Sequence, residues 1–316
     1  MPVFRNRTAF ELTRSIKAFL NIEAGVTRGE VPKPAAANPG NFIWVFGAGR
    51  TGSTWLAAMM GEVEGHHVWF EPRVGELFNP ERMQIEKRAG KSFIFASQYK
   101  KVWLKSIKSF VLEAVEARYP GLDRDGHLVI KEPAGSEGAP MLMEAMPESR
   151  MILLIRDPRD VAASWLNASR KGGWQYERRR TKDGNRDAGR TEDSEKVRNY
   201  AKRYRTNVGG AKKAYDAHKG PKTIIKYEDL RADTLATLSR AYSELGVPVD
   251  REELSRAVEK HSWENIPEDQ KGEGKFYRKA SPGGWQEDLT PEQIMIVEKA
   301  TAPLLEELYP EAEVAR

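Results

Sequence analysis

A glycine-rich segment follows the first strongly apolar stretch of the chain. Residues 47–54 read GAGRTGST and come directly after the apolar residues 41–46. Glycines let a backbone turn tightly and bring its N–H groups against a phosphate, and a helix that follows adds its positive N-terminal end. Hydroxyl groups and one arginine supply further donors. The pattern predicts a phosphate-binding loop with the ligands Gly49, Arg50, Thr51, Gly52, Ser53 and Thr54.

The loop differs in one position from the ATP-binding loop of nucleotide triphosphatases. Those proteins place a lysine after the last glycine and use it with Mg²⁺ on the β- and γ-phosphates. This chain has Ser53 at that position, and the cation of its loop is Arg50. A divergent metal-dependent kinase therefore stays an alternative, as does a glycine-rich turn that binds nothing.

Residues of this kind need a sheet to hold them, and the sequence predicts one. Four short apolar segments are typical of buried strands: 41–46, 127–131, 150–155 and 222–226. Helical patterns occupy 52–63, 103–117, a segment from Pro158, 234–245, 252–261 and 291–308. Strands that alternate with helices predict an α/β fold, a doubly wound and mostly parallel sheet like that of P-loop NTPases. Ligands bind such sheets beyond the carboxyl ends of the strands.

Composition narrows the functional classes further. The chain has 316 residues, 51 basic against 46 acidic side chains, a net charge of +5 and no cysteine. The lack of cysteine excludes disulfides and thiolate metal sites, and five histidines make a dedicated zinc site improbable. Mixed charges argue against a nucleic-acid binder, which usually shows a clustered basic face. The sequence contains no run of about 18 apolar residues, so no membrane span is predicted. It also lacks a signal-peptide pattern. A cytoplasmic location is expected.

The predicted organisation is one large domain with an N-terminal extension. Residues 1–40 comprise an amphipathic helix, about residues 1–22, and a proline-containing linker arm. Residues 41–316 form the domain. Within it, residues 171–198 are rich in charged residues and nearly free of aliphatic ones, which predicts a mobile lid.

Two motifs resemble those of the PAPS-dependent sulfotransferases, PAPS being 3′-phosphoadenosine-5′-phosphosulfate. Residues 50–55 (RTGSTW) are similar to that family's loop for the 5′-phosphosulfate, and residues 154–165 (LIRDPRDVAASW) to its motif for the 3′-phosphate. The resemblance implies that Arg156 and Ser164 bind the 3′-phosphate. Arg50 is similar to the arginine of the tyrosylprotein and carbohydrate branches, because the cytosolic branch has lysine there.

Further matches extend the resemblance from Phe42 to Trp285. Trp55 is placed like an aromatic residue that contacts the adenine, and Tyr227 begins a segment that resembles the family's Tyr-Glu-Asp segment. Arg278 and Lys279 resemble the start of an Arg-Lys-Gly loop that closes over the 3′-phosphate, with Ala280 replacing the glycine. These residues are expected to bind the nucleotide.

A sulfuryl acceptor loses a proton as it attacks, so a general base is expected near the donor. Glu71 lies in the segment 69–72 (WFEP), at a distance from the loop that resembles the catalytic glutamate of the tyrosylprotein branch. Its apolar neighbours could exclude water from it. His66 and His67 are weaker candidates, of which at most one could face the site.

A second candidate segment ends the strand 127–131. Lys131, Glu132 and Pro133 stand where the cytosolic branch has Lys-Thr-His, so a histidine base is missing there. The resemblance implies that Lys131 stabilises charge on the leaving phosphate. Glu132 remains an alternative base.

Taken together, the resemblance implies a metal-independent enzyme. It would move a sulfuryl group in line from PAPS to a hydroxyl or amine and release PAP. The acceptor, a small molecule, glycan or lipid, is left open. A module that only binds PAP or another anion remains an alternative beside the kinase. No nucleic-acid partner is expected, because the arginine run 178–180 is typical of a solvated loop.

Overall fold

Five parallel strands form the sheet on which the described residues are built. The structure is a computed structural model that describes residues 37–80, 83, 93–120, 122, 125–183 and 192–310. The strands are β1 Phe42–Gly47, β2 His66–Phe70, β3 His127–Lys131, β4 Arg150–Ile155 and β5 Lys222–Lys226. Their order is β2-β3-β1-β4-β5, and every neighbouring pair is parallel. The prediction of a doubly wound α/β fold is confirmed.

Twelve α-helices connect or flank these strands within the described residues. They are α1 Ser53–Met60, α2 Val74–Leu77, α3 Lys100–Arg118, α4 Ala139–Ala145, α5 Pro158–Ser169, α6 Trp174–Asp183, α7 Asp193–Ala217, α8 Tyr227–Ala232, α9 Thr234–Glu244, α10 Arg251–Lys260, α11 Trp285–Asp288 and α12 Pro291–Leu308. Short 3₁₀ turns occupy Pro39–Asn41, Ser97–Tyr99, Pro133–Gly138 and Glu268–Gln270.

The central strand β1 is buried on both faces of the sheet. Its residues Phe42, Trp44 and Phe46 belong to one apolar cluster, which includes residues of α3, α4 and α7. Ile43 and Val45 belong to a second cluster, which includes residues of α1, α9 and α10. Alternate side chains of a strand point to opposite faces, so helices on both faces explain why the strand reads as a continuous apolar run.

The position of β1 fixes where a ligand can bind. Strands β2 and β3 lie on one side of it, and β4 and β5 lie on the other. The chain therefore reverses its direction of winding at β1, and the crevice beyond the carboxyl end of such a strand is the usual ligand site of these sheets. The glycine-rich loop occupies that crevice.

The sequence did not predict strand β2 or the helices α2, α4, α6, α7, α8 and α11. Strand β2 carries the polar His66 and His67 and lies at the sheet edge, so its apolar signal is weak. Helix α6 and the first residues of α7 occupy the described part of the charged segment 171–198. That segment is therefore partly helical, and its role as a lid stays a prediction.

The N-terminal predictions lie largely outside the described residues. The amphipathic helix of residues 1–22 and the linker up to residue 36 are in this category. Across the described residues, every helix is too short or too polar to cross a lipid bilayer.

Candidate functional site

The glycine-rich loop leads from β1 into the first turn of α1. Gly52 caps that helix with φ 85°, a left-handed conformation that glycine adopts without strain. A Cβ atom on Gly52 would lie 2.7 Å from the ring of Tyr227, and one on Gly49 would lie 2.9 Å from the ring of Trp165. The loop thus packs closely against two aromatic rings. Because glycine has no side chain to cap the helix, the first N–H groups of α1 remain available to an anion.

Arg50 crosses the crevice and joins the loop to two other segments. Its Nε donates to Ser164 Oγ at 2.9 Å, and one terminal nitrogen donates to the carbonyl oxygen of Phe276 at 2.9 Å. Its guanidinium also lies 4.6 Å from the ring centre of Phe276 and 5.6 Å from that of Trp174. The side chain predicted to bind the 5′ group therefore contacts a residue predicted to bind the 3′-phosphate.

Arg156 follows β4 and contacts the backbone of the loop. Its Nη1 donates to the carbonyl oxygen of Arg50 at 3.2 Å, and its guanidinium lies 4.3 Å from the ring centre of Tyr227. Tyr204 donates its hydroxyl to the Arg156 carbonyl oxygen at 2.8 Å and so fixes the strand end. The Nε of Arg156 is buried and has no hydrogen-bond partner among the described residues. An unpartnered buried donor of this kind needs an explanation, and a ligand at this position is one.

Arg50 lies in a buried position close to two other arginines, Arg156 and Arg278. Burial, together with the nearby positive charges of Arg156 and Arg278, lowers the pKa of Arg50 to about 10. Arginine is normally charged at any physiological pH, so the shift shows that burial, and then the neighbouring positive charges, disfavour the charged form of Arg50. A bound dianion would remove that penalty.

Most of the predicted nucleotide ligands line the same cavity. No acidic side chain is found among the described residues that line it, whereas four arginines and one lysine are. The predicted ligands in its lining are Arg50, Gly52, Ser53, Thr54, Trp55, Arg156, Ser164, Tyr227, Arg278 and Lys279. Gly49 supports the loop instead, and the buried Thr51 donates its hydroxyl to the Ala48 carbonyl oxygen at 2.8 Å.

The last wall of the cavity is the loop that carries Arg278 and Lys279. Arg278 forms an ion pair with Asp288, and Lys279 forms one with Glu287 at 2.7 Å. Ala280 has φ 50°, the left-handed conformation that favours glycine. The backbone at this position thus has the form expected of the glycine in the resembled Arg-Lys-Gly loop, although the residue is alanine.

The predicted acid–base residues lie at the ends of β2 and β3, beside the loop. Lys131 Nζ forms an ion pair with Glu71 Oε1, and the Glu71 N–H donates to the Lys131 carbonyl oxygen at 2.8 Å. The Lys131 side chain is buried, whereas 47% of the Glu71 side chain is exposed. The expected exclusion of water from Glu71 is therefore only partial. A carboxylate that is open to solvent on one side can be reached by an acceptor.

Glu132 has different surroundings. It is fully buried, and its two carboxylate oxygens accept from the backbone N–H groups of Arg73 at 2.8 Å and Gly75 at 3.4 Å. Burial raises its pKa to about 7, despite these hydrogen bonds. The contacts hold the start of α2 against the end of β3.

The histidine candidates lie away from this group. His66 and His67 begin β2, whereas Glu71 follows the other end of that strand. The ring of His66 stacks on that of His127 at 5.0 Å. Neither histidine is thus placed at the carboxyl edge of the sheet.

Comparison with known proteins identifies the family. A model of the Sulfotransferase family matches residues 43–251, two thirds of the chain and the whole run from β1 to the start of α10. The chain belongs to the sulfotransferase family. Each motif that carries the resemblance in this protein, except the loop with Arg278 and Lys279, lies inside the matched residues.

Solved structures share the fold of this sulfotransferase. A mouse sulfotransferase complexed with PAP is 14% identical with a TM-score of 0.54, covering 85% of this chain and 86% of that one. A sulfotransferase from Mycobacterium avium is 13% identical with a TM-score of 0.54, covering 94% of this chain and 80% of that one. At this level of identity the likeness concerns the fold. No curated protein sequence matches the chain.

Sequence reasoning missed one residue that organises the sulfotransferase site. Asp160 is buried, and its carboxylate accepts from the N–H groups of Gly283 at 2.8 Å and Trp285 at 3.1 Å. It also lies 3.8 Å from an Nη of Arg156. Asp160 therefore ties the C-terminal loop to the Arg156 motif. The sequence signal that could have found it is an acidic residue in the first turn of α5, four residues after the predicted phosphate ligand Arg156.

A second missed residue, Arg231, lines the same cavity near Trp55. It lies four residues after Tyr227, so that helical spacing on α8 places both on one side. The lining of the cavity also includes His261, Trp263 and Ile266. None of these three belongs to a phosphate-binding pattern, which is why motif reasoning passed over them.

Proposed function

We propose that this protein transfers the sulfuryl group of PAPS to a hydroxyl or amine acceptor. The observation that supports this most directly is the cavity at the carboxyl ends of β1 and β4. It is lined by four arginines and a lysine, and its described lining contains no acidic residue. A nucleotide with anionic groups at both its 5′ and 3′ positions matches this excess of positive charge. Membership of the sulfotransferase family supports the same conclusion.

The residues present fit such a nucleotide. Gly52, Ser53 and Thr54 would hold the 5′ group, since they line the cavity at the N-terminus of α1, which has no side-chain cap. Arg156, with its unpartnered Nε, and Ser164 would hold the 3′-phosphate. Arg278 and Lys279 would close over it from the C-terminal loop.

When bound, PAPS supplies a sulfuryl group that passes to the acceptor oxygen or nitrogen and leaves PAP. The protein contributes position and charge, as enzymes do in phosphoryl transfer. Arg50, Ser53 and Thr54 orient the anionic group at the loop. In the structure Arg50 donates to Ser164. A 3′-phosphate bound to Ser164 would compete for that hydrogen bond and leave the Arg50 side chain free to contact the 5′ group.

The proton of the acceptor would pass to Glu71. Its carboxylate is half exposed and contacts Lys131, so it has a route to an acceptor and a cation that keeps it oriented. Lys131, at the end of β3 and next to β1, provides positive charge beside the loop. In the described part of the chain, no group of three acidic or histidine side chains could hold a metal ion. That the reaction needs no metal stays a prediction.

The first test is calorimetric titration with PAP in the absence of metal. We expect wild-type protein to bind PAP, and Arg50→Ala and Arg156→Ala each to weaken binding about 30-fold or more, because each loses charge-assisted hydrogen bonds. Arg205→Ala is the matched control, since Arg205 is exposed on α7 and outside the cavity lining. Its affinity should equal that of the wild type.

A parallel titration uses ATP with Mg²⁺. Binding of ATP with Mg²⁺ and no binding of PAP would contradict the proposal and favour the divergent kinase. Binding of PAP without any conversion of PAPS to PAP, across a panel of hydroxyl and amine acceptors, would favour the non-catalytic module.

A further inference from the structure

Arg231 lines the cavity beside Trp55 and belongs to no predicted phosphate-binding motif. It belongs to α8 and lies with its guanidinium carbon 5.3 Å from the ring centre of Trp55. Its Nε is buried and lacks a hydrogen-bond partner within the described part of the chain. A buried guanidinium donor left unpaired is costly, so its presence needs an explanation.

Arg156 offers the closest parallel. Among the described residues, the charged side chains that have a buried nitrogen without a hydrogen-bond partner are those of Arg156 and Arg231, and both line the same cavity. The first belongs to the motif predicted to bind the 3′-phosphate. The same physical criterion therefore marks Arg231 as a ligand-binding residue, although no motif includes it.

The neighbours of Arg231 indicate what kind of group it would meet. Trp55 and Tyr227 lie near it, and Trp263 and Ile266 line the same cavity. Aromatic and apolar walls of this kind suit a flat base better than a phosphate. The Trp55 ring is fixed, because its Nε1 donates to the His261 carbonyl oxygen at 2.7 Å and Tyr227 meets it edge-on at 6.5 Å. Arg231 adds a cation over one face of that ring.

We propose that Arg231 recognises the base of the bound nucleotide by donating a hydrogen bond to a ring nitrogen of adenine. The inference rests on the proposed function and deepens it by assigning the contact that distinguishes the base. A guanidinium has five donors and no acceptor, and adenine offers acceptors at N1, N3 and N7. The planar group can remain stacked on Trp55 while one of its edges faces the base.

The first experiment separates contact with the base from contact with phosphate. Wild-type protein and Arg231→Gln are titrated with PAP and with ribose 3,5-bisphosphate, which lacks the base. We expect the substitution to weaken PAP binding about tenfold, as loss of a charge-assisted hydrogen bond would, and to leave binding of the abasic compound unchanged. Equal losses for both ligands, or no loss for either, would overturn the proposal.

A second experiment tests whether Arg231 acts directly or only by holding Trp55. Adenosine 3′,5′-bisphosphates with carbon in place of N1, N3 or N7 are titrated against both proteins. We expect one of the three analogues to bind the wild type about tenfold more weakly than PAP, and to bind Arg231→Gln as well as PAP does. If the wild type binds all three as tightly as PAP, Arg231 makes no hydrogen bond to the base.

Arg231→Met controls for packing, because it retains an unbranched apolar stem beside Trp55. We expect Arg231→Met to match Arg231→Gln in ligand affinity and the wild type in melting temperature. The outcomes also separate the two proposals. Wild-type protein that fails to bind PAP contradicts the proposed function, whereas wild-type binding with no change in Arg231→Gln contradicts the assignment of Arg231 alone.

Discussion

Two neighbouring glutamates show how surroundings decide between candidates for a general base. The pKa of Glu132, raised to about 7 by burial, would suit a proton acceptor at neutral pH. Its carboxylate, however, is buried and already accepts from the N–H groups of Arg73 and Gly75. Glu71 is accessible and pairs with Lys131. A base must first be within reach of the proton, so geometry favours Glu71.

Substitution of each glutamate should separate catalysis from stability. We expect Glu71→Gln to lower the rate of PAPS conversion about 10²–10⁴-fold with unchanged affinity for PAP. Glu132→Gln should lower the free energy of unfolding by about 1–3 kcal/mol, because its amide NH₂ cannot accept and would face one of the two backbone donors. Steady-state rates and urea denaturation of both variants check this. A normal rate in Glu71→Gln together with a large rate loss in well-folded Glu132→Gln would reverse the assignment.

Backbone strain is also concentrated in these residues. Arg50, Glu71, Arg73 and Ala280 have φ between 47° and 71°, a region that non-glycine residues rarely adopt. They are the non-glycine residues with positive φ in the described part of the chain, and each lies in or beside the candidate site. Strain of this kind persists where the surrounding structure enforces it, and it is typical of functional sites.

At the scale of elements, Asp160 joins helix α5 to the loop that precedes α11. Its carboxylate holds the N–H groups of Gly283 and Trp285 at the same time as it faces Arg156. For the proposed function Asp160 is a positioning residue, because it would act on the nucleotide through the C-terminal loop. The loop that carries Arg278 and Lys279 would lose its anchor without this charge.

Asp160→Asn should therefore loosen the loop. An amide oxygen accepts more weakly than a carboxylate, so we expect PAP affinity to fall about tenfold and tryptic cleavage after Arg278 or Lys279 to become faster. Addition of PAP should slow that cleavage more in the wild type than in the variant. Asp233→Asn is the control, since Asp233 caps α9 with a similar hydrogen bond at 2.9 Å and lies outside the cavity lining. Equal cleavage rates in both variants would contradict the role of Asp160.

The sequence predicted the elements whose signals are local. Strands β3, β4 and β5 have the predicted ends, and β1 is shifted by one residue. Strand β2 was missed because its pairing with β3 comes from distant residues and not from an apolar pattern. The charged helix α7 was missed because its buried stripe of Val197, Ala201, Tyr204 and Val208 is spread among many polar residues.

The site was predictable to the extent that its residues belong to contiguous motifs. Sequence reasoning could not find the seam between α2 and the 3₁₀ turn Pro133–Gly138. There a Cβ on Gly75 would lie 2.0 Å from the Gly135 carbonyl oxygen, and one on Gly138 would lie 2.2 Å from the Gly75 carbonyl oxygen. This backbone contact fixes the position of the segment after Glu71. It joins Gly75 to Gly135 and Gly138, which lie far from it in the chain, and none of the three glycines has a local signature.

On the scale of the whole molecule, a histidine pair makes stability depend on pH. Burial and the neighbouring His66 lower the pKa of His127 to about 4, and burial lowers the pKa of His66. The unfolded chain takes up protons below about pH 6.5, whereas the folded protein resists them until about pH 4. Stability is therefore fully present above the unfolded pKa and is lost as the pH falls towards 4.

We expect the free energy of unfolding to fall by about 1 kcal/mol from about pH 7 to about pH 5.5 on account of His127. His127→Gln should reduce this loss, because the variant has no imidazole to protonate. His67→Gln is the control, since His67 is exposed in the same strand. Urea denaturation at the two pH values provides the measurement, and an identical pH dependence in wild type and His127→Gln would rule out the effect.

The cationic lining of the cavity also has a consequence for the catalytic cycle. The donor and product nucleotides share both phosphate groups, so in the proposed reaction the fixed charges of Arg156 and Arg278, which line the cavity, would attract the two alike. Attraction that does not distinguish ground state from transition state raises occupancy without lowering the chemical barrier. It does slow dissociation, because differences in affinity are expressed mainly in the off-rate. The wall that captures the donor would then retain the spent nucleotide, and its departure would set the pace of turnover.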